Sequence, residues 1–127
     1  MNREKLLALY KKYELAEDDV FKHQHYVIIT RQGIDKIQAI EKIHITYQVI
    51  KCEPKFAVFQ AFATKENASV ETFGSALKGD NYKDGNCNSW YVAEMAEKRA
   101  MSRAVLKLTG FYELGVFGED ESDSFKK

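Results

Sequence analysis

The chain has 127 residues, 45% of them hydrophobic and 30% charged, the size and make-up of one globular domain with a modest core, which excludes disorder of the whole chain. Its 19 basic and 19 acidic side chains cancel, so overall charge alone cannot hold it to nucleic acid. The cancellation is uneven: residues 1–110 hold 17 basic and 14 acidic side chains, against two lysines and five acids in residues 111–127.

In chain order, Leu6, Leu7, Leu9, Tyr10 and Tyr13 give residues 2–15 the apolar face of a short amphipathic helix. The run His25-Tyr26-Val27-Ile28-Ile29-Thr30 reads as a strand. Thr30 is placed to cap a second helix that buries Ile34, Ile37 and Ile40. Strict alternation over residues 43–50 predicts a half-buried strand with Ile43, Ile45, Tyr47 and Val49 on its covered face. Glu53-Pro54 marks a turn, Phe56 to Thr64 the next strand with aromatics on both faces, and Lys65-Glu66-Asn67 a second turn. Val70 to Leu77 closes a three-stranded antiparallel meander, with Gly74 as a candidate bulge.

A polar loop, residues 78–87, leads into the longest element. Asn88 or Ser89 can cap a helix that runs to Gly110. Ala93, Ala96, Ala100 and Ala104 recur at helical spacing and form a stripe of small side chains that lets the helix lie close against a sheet. Beside the stripe, Arg99, Arg103 and Lys107 stand four residues apart. Like charges at that spacing mildly oppose helix formation, so the row is either neutralised by acids elsewhere in the fold or turned toward an anionic ligand. Phe111-Tyr112 and Val116-Phe117 are expected to fold back on the body.

These elements predict an α+β domain over residues 1–118, with N-terminal helices, an antiparallel meander and a long C-terminal helix packed across the sheet. Residues 119–127 read as an acidic flexible tail, either solubilising or recruiting a protein partner. The charged opening, Met1 to Lys5, leads into no apolar run long enough for a signal peptide or membrane span, so a cytoplasmic location is expected, with no membrane partner.

The chemistry-bearing residue types are sparse. Cys52 and Cys87 have no paired spacing, and His23 with His25 lacks a third ligand, so no metal site or other cofactor is expected. Histidines 23, 25 and 44 form no nucleophilic set with a serine or cysteine, and an enzyme is not expected. Asp80 to Gly85 imitates a calcium loop, but Tyr82 and Tyr91 stand where oxygen ligands are required. What remains is a mixture of cations and rings: Lys78, Tyr82, Lys83, Trp90 and Tyr91, followed by Lys98, Arg99, Arg103 and Lys107. Cations that follow phosphates and rings that stack on unpaired bases suit single-stranded nucleic acid. The competing reading of Trp90 and Tyr91 is a wedge between helix and sheet.

The segment Tyr26 to Thr30 with its helix, the meander from Ile43 to Leu77, and Met95-Ala96-Glu97-Lys98-Arg99-Ala100-Met101-Ser102-Arg103-Ala104 together resemble the core of phage-type single-strand annealing and recombination proteins. The resemblance spans roughly residues 20–112. It implies a β-β-β-α core that assembles into rings or filaments and binds single-stranded DNA in a basic groove between sheet and helix, without metal or nucleotide hydrolysis. Carried over by position, Arg99 and Arg103 become the backbone contacts, extended by Lys107. Lys78, Tyr82 and Lys83 join the expected site on their chemistry alone. The alternative is a protein-interaction or small-ligand module whose arginines are satisfied within the fold.

Overall fold

The structure, a computed structural model, describes residues 3–23, 26–79 and 91–120. Helix α1 spans Arg3–Lys12, strand β1 Val20–His23, β2 Tyr26–Ile29, helix α2 Arg31–Glu41, β3 His44–Cys52, β4 Phe56–Lys65, β5 Ala68–Leu77, helix α3 Val92–Thr109 and β6 Val116–Gly118. The α+β architecture follows the sequence pattern: α3 lies across an antiparallel sheet of order β3-β4-β5.

The alternation of β4 and β5 explains why α3 has a seat. Ala57, Ala61 and Ala63 of β4 and Ala76 of β5 are fully buried on one face, and Ala96, Ala100 and Ala104 of α3 are fully buried against it. Small side chains on both surfaces let the two backbones come close. Gly74 lies at the tightest point: a Cβ there would strike the Ala96 carbonyl oxygen and the Ala100 amide nitrogen. It is not the bulge its sequence position suggested. Gly74 pairs in regular register with Phe59, and the irregularity falls in β3, between Val49 and Lys51. The Thr72 hydroxyl adds a buried hydrogen bond of 2.7 Å to the Ala100 carbonyl.

The helix covers β4 and β5 and barely reaches β3. Of the apolar side of β3, Ile43 is buried and Ile45 half-buried, whereas Tyr47 and Val49 are exposed. Periodicity assigned all four to the covered side. It fixes the side, and the width of the covering helix fixes how far burial extends.

A second sheet, absent from the sequence expectation, has the order β1-β2-β6. β1 runs antiparallel to β2, and β6 returns from the far end of the chain to pair with β2 in parallel. Ile28, Ile29 and Val116 are fully buried there, so Val116-Phe117 folds back as a strand. Thr30 caps α2 as expected, its Oγ1 accepting from the Gly33 amide at 3.2 Å. Asp19 is fully buried; its carboxylate accepts from Lys36 Nζ at 2.6 Å and from the Ala16 amide at 2.8 Å. Burial opposes its charge, but Lys36 and Ala16 together hold its pKa below the usual carboxylate value.

Glu41, at the end of α2, joins three elements. It accepts from the Tyr13 hydroxyl at 2.6 Å and pairs with Lys12 at 3.1 Å and Lys65 at 3.0 Å. The Tyr13 hydrogen bond, helped by Lys65 and Lys12 and opposed by burial, pulls its pKa down from 4.5 to about 2. A carboxylate with a lowered folded-state pKa stabilises fully above its unfolded value and loses that contribution as pH falls through its folded one. Glu41→Ala is therefore expected to cost about 1–3 kcal/mol near neutrality, by stranding the Tyr13 hydroxyl and two lysines. Thermal melts should show the gap to the parent narrowing between pH 4.5 and about pH 2. A gap independent of pH would remove the charge from this account.

Candidate nucleic-acid interface

Helix α3 presents its cation row toward the outer edge of β5, and the three members meet different surroundings. Arg99 is only 4% exposed. Its Nε donates to the Asp120 carbonyl oxygen at 2.9 Å and its Nη1 to the Ser75 carbonyl oxygen at 2.8 Å. Arg103, one turn on, is half-buried and donates from Nη1 to the Phe73 carbonyl oxygen at 2.9 Å. Lys107 is exposed, its Nζ 5.2 Å from the centre of the Tyr112 ring.

This arrangement has a physical reason. β5 is the last strand of its sheet, so the carbonyls of Phe73 and Ser75 have no neighbouring strand among the described residues. A planar guanidinium with fixed donors can meet such carbonyls from a helix laid across the sheet. The turn at Glu119-Asp120 closes over Arg99 from the other side. Asp120 is 5% exposed, its carboxylate accepting from Arg31 Nη2 at 2.8 Å and Ser102 Oγ at 3.1 Å, while Glu119 accepts from the Arg31 amide at 3.0 Å. These two acids, counted with the tail from the sequence, are anchored to the body. The rest of that tail, residues 121–127, lies outside the described residues.

Of the residues expected at the site, Arg99, Arg103 and Lys107 share one side of α3, but Arg99 is enclosed. The backbone amide of Lys78 donates to the Lys55 carbonyl at 2.7 Å, and its half-buried side chain lies just past the end of β5. Tyr82 and Lys83 lie outside the described residues, as do Trp90, His25 and the Asn88 and Ser89 caps. The helix itself starts at Val92, after Tyr91, which is 65% exposed. His44 is exposed on β3, and among the described residues no group of three His, Cys, Asp or Glu is placed to hold a metal ion. No helix among them is long and apolar enough to cross a membrane.

The open face of the meander escaped the sequence reading as a site. Strand pairing puts Gln48, Gln60 and Phe73 in one row and Thr46, Phe62 and Glu71 in the next. Phe56, Val58 and Phe62 are half-buried here, and Phe73 and Leu77 are 49% and 42% exposed. Lys51 holds its Nζ 5.8 Å from the centre of the Phe56 ring, and Gln60 donates to Glu71 at 3.3 Å. The signal was present in the sequence: Phe56 and Phe62 fall on the opposite alternation from the alanines of β4. Phe73 is the residue that joins this face to the cation row, because its carbonyl is the one Arg103 holds.

Compared with family models, curated proteins and solved structures, the chain matches none.

Proposed function

We propose that the protein is a non-catalytic single-stranded DNA-binding protein that serves annealing in phage-type recombination. The supporting observation is that Arg103 holds the main chain of Phe73: a guanidinium stands at the edge of β5, and the ring of the strand residue it grips lies half open to solvent on the uncovered face. One cation for a phosphate and one ring for an unpaired base make the smallest unit of sequence-independent single-strand binding. Lys107 extends the cations along α3, and Phe56 with Phe62 extends the rings across the open face. Arg99 serves this reading only indirectly, by fixing α3 against the edge of β5.

A second reading has its own observation. Arg99 is enclosed and hydrogen-bonded within the chain, as expected of a protein-interaction or small-ligand module whose helix cations are structural.

Fluorescence anisotropy with labelled oligonucleotides separates the two. On the DNA reading, single strands bind more tightly than duplex and affinity falls steeply with salt. Phe73→Ala then weakens binding by about tenfold or more, the worth of one stacked base, and Arg103→Gln lowers the salt slope by about one. No binding at low salt would favour the interaction module, and full binding by Phe73→Ala would exclude this ring as the stacking site.

A further inference from the structure

The meander has two edges, and they are treated differently. At β5 the Phe73 and Ser75 carbonyls are taken by Arg103 and Arg99. At β3 the strand runs for nine residues, His44–Cys52, and no strand or helix among the described residues pairs with its outer edge. Exposed edges are normally blunted by charge, by proline or by a covering element. From Ile43 to Ile50 the sequence carries neither an acid, a lysine, an arginine nor a proline. Tyr47 and Val49, on the helix side of that edge, are 38% and 54% exposed.

We infer that β3 pairs antiparallel with β3 of a second copy of this chain, about a two-fold axis at Thr46. Two features of the strand select this occupant and register. Centring the pair on Thr46 sets Ile43 opposite Val49 and Ile45 opposite Tyr47 on the helix side. On the open side His44 faces Gln48, and Thr46 faces itself. Between Ile43 and Val49 every apolar side chain meets an apolar one, and no two charges face each other. The bulge between Val49 and Lys51 ends the regular stretch at the residue where this pairing ends and keeps Lys51 out of it. The state of β5 then fixes the symmetry. A head-to-tail contact of β3 with the next copy's β5 would displace both arginines from their carbonyls, so like must pair with like, and the assembly closes as a dimer. The result is a six-stranded sheet whose two open faces are continuous across the axis.

The test reads mass and proximity, without nucleic acid, so it can fail while the DNA reading stands. Light scattering on the full chain at micromolar concentration is expected to give twice the 14.6 kDa of one copy. Thr46→Lys, at an exposed position, places two ammonium groups face to face and is expected to give the monomer with an unchanged far-UV spectrum. With Cys52 and Cys87 replaced by serine, Thr46→Cys is expected to cross-link to completion under mild oxidation. Gln48→Cys is not, because its two copies stand four residues, roughly 13 Å, out of register along the strand. A monomeric parent, a dimer that survives Thr46→Lys, a larger ring, or equal cross-linking by both cysteines would each overturn the inference.

Discussion

Gly74→Ala is expected to destabilise the fold by about 3 kcal/mol, the upper part of the range for overpacking a close-packed site. The added methyl would enter the space of the Ala96 carbonyl oxygen and the Ala100 amide nitrogen, with Arg99 Cβ at 3.0 Å. Two of these three are helix backbone, which no rotamer change can move aside. α3 has to lift from β5, and the seam of Ala96, Ala100 and Ala104 opens along its length. At roughly 4 °C per kcal/mol for a domain of this size, the melting temperature should fall by about 12 °C. Ser69→Ala, an exposed change on the same strand, should move it by a degree or two. A Gly74→Ala protein that melts with the parent would mean that the helix is not seated on β5 at this point.

Gly74 also marks the boundary between what the sequence discloses and what it does not. A glycine in an otherwise regular strand announces a bulge or a close approach, and only the partner surface decides which. The meander itself was legible because strict period-two alternation marks β3 and clear turns bound the strands that follow, and α3 because its alanines repeat over about three turns. The second sheet was not. β6 is three residues long and its parallel partner β2 lies some ninety positions earlier, so no local pattern could report the pairing. The cation row was legible as a row, and its gradation was not. Arg99, Arg103 and Lys107 each follow an alanine of the stripe by three residues and so occupy equivalent places on the helix. What separates them is external: the Glu119-Asp120 turn closes over Arg99 and leaves Lys107 beside Tyr112 in the open. The aromatics on both faces of β4 were legible, but not the open face as a site, since only the helix on the opposite face shows which rings are left outside.

Arg99 also supplies the largest expected electrostatic effect, and Arg99→Lys tests it better than removal does. Arg99→Ala is expected to cost about 3 kcal/mol or more, since it removes the donor that the Asp120 and Ser75 carbonyls share and empties the space of the side-chain stem. Any loss of DNA binding in that variant would be ambiguous. Lysine keeps the positive charge, and a phosphate treats it as nearly equivalent. A single ammonium, however, cannot span two carbonyls that a fork-shaped guanidinium reaches from Nε and Nη1 at 2.9 and 2.8 Å. Urea unfolding of Arg99→Lys should therefore show a loss of about 1–3 kcal/mol, while the folded protein binds oligonucleotides within about twofold of the parent, with an unchanged salt slope. If stability were retained and affinity lost, the roles would be reversed: the guanidinium would serve a phosphate, and the carbonyl contacts would describe only where it rests before the strand arrives.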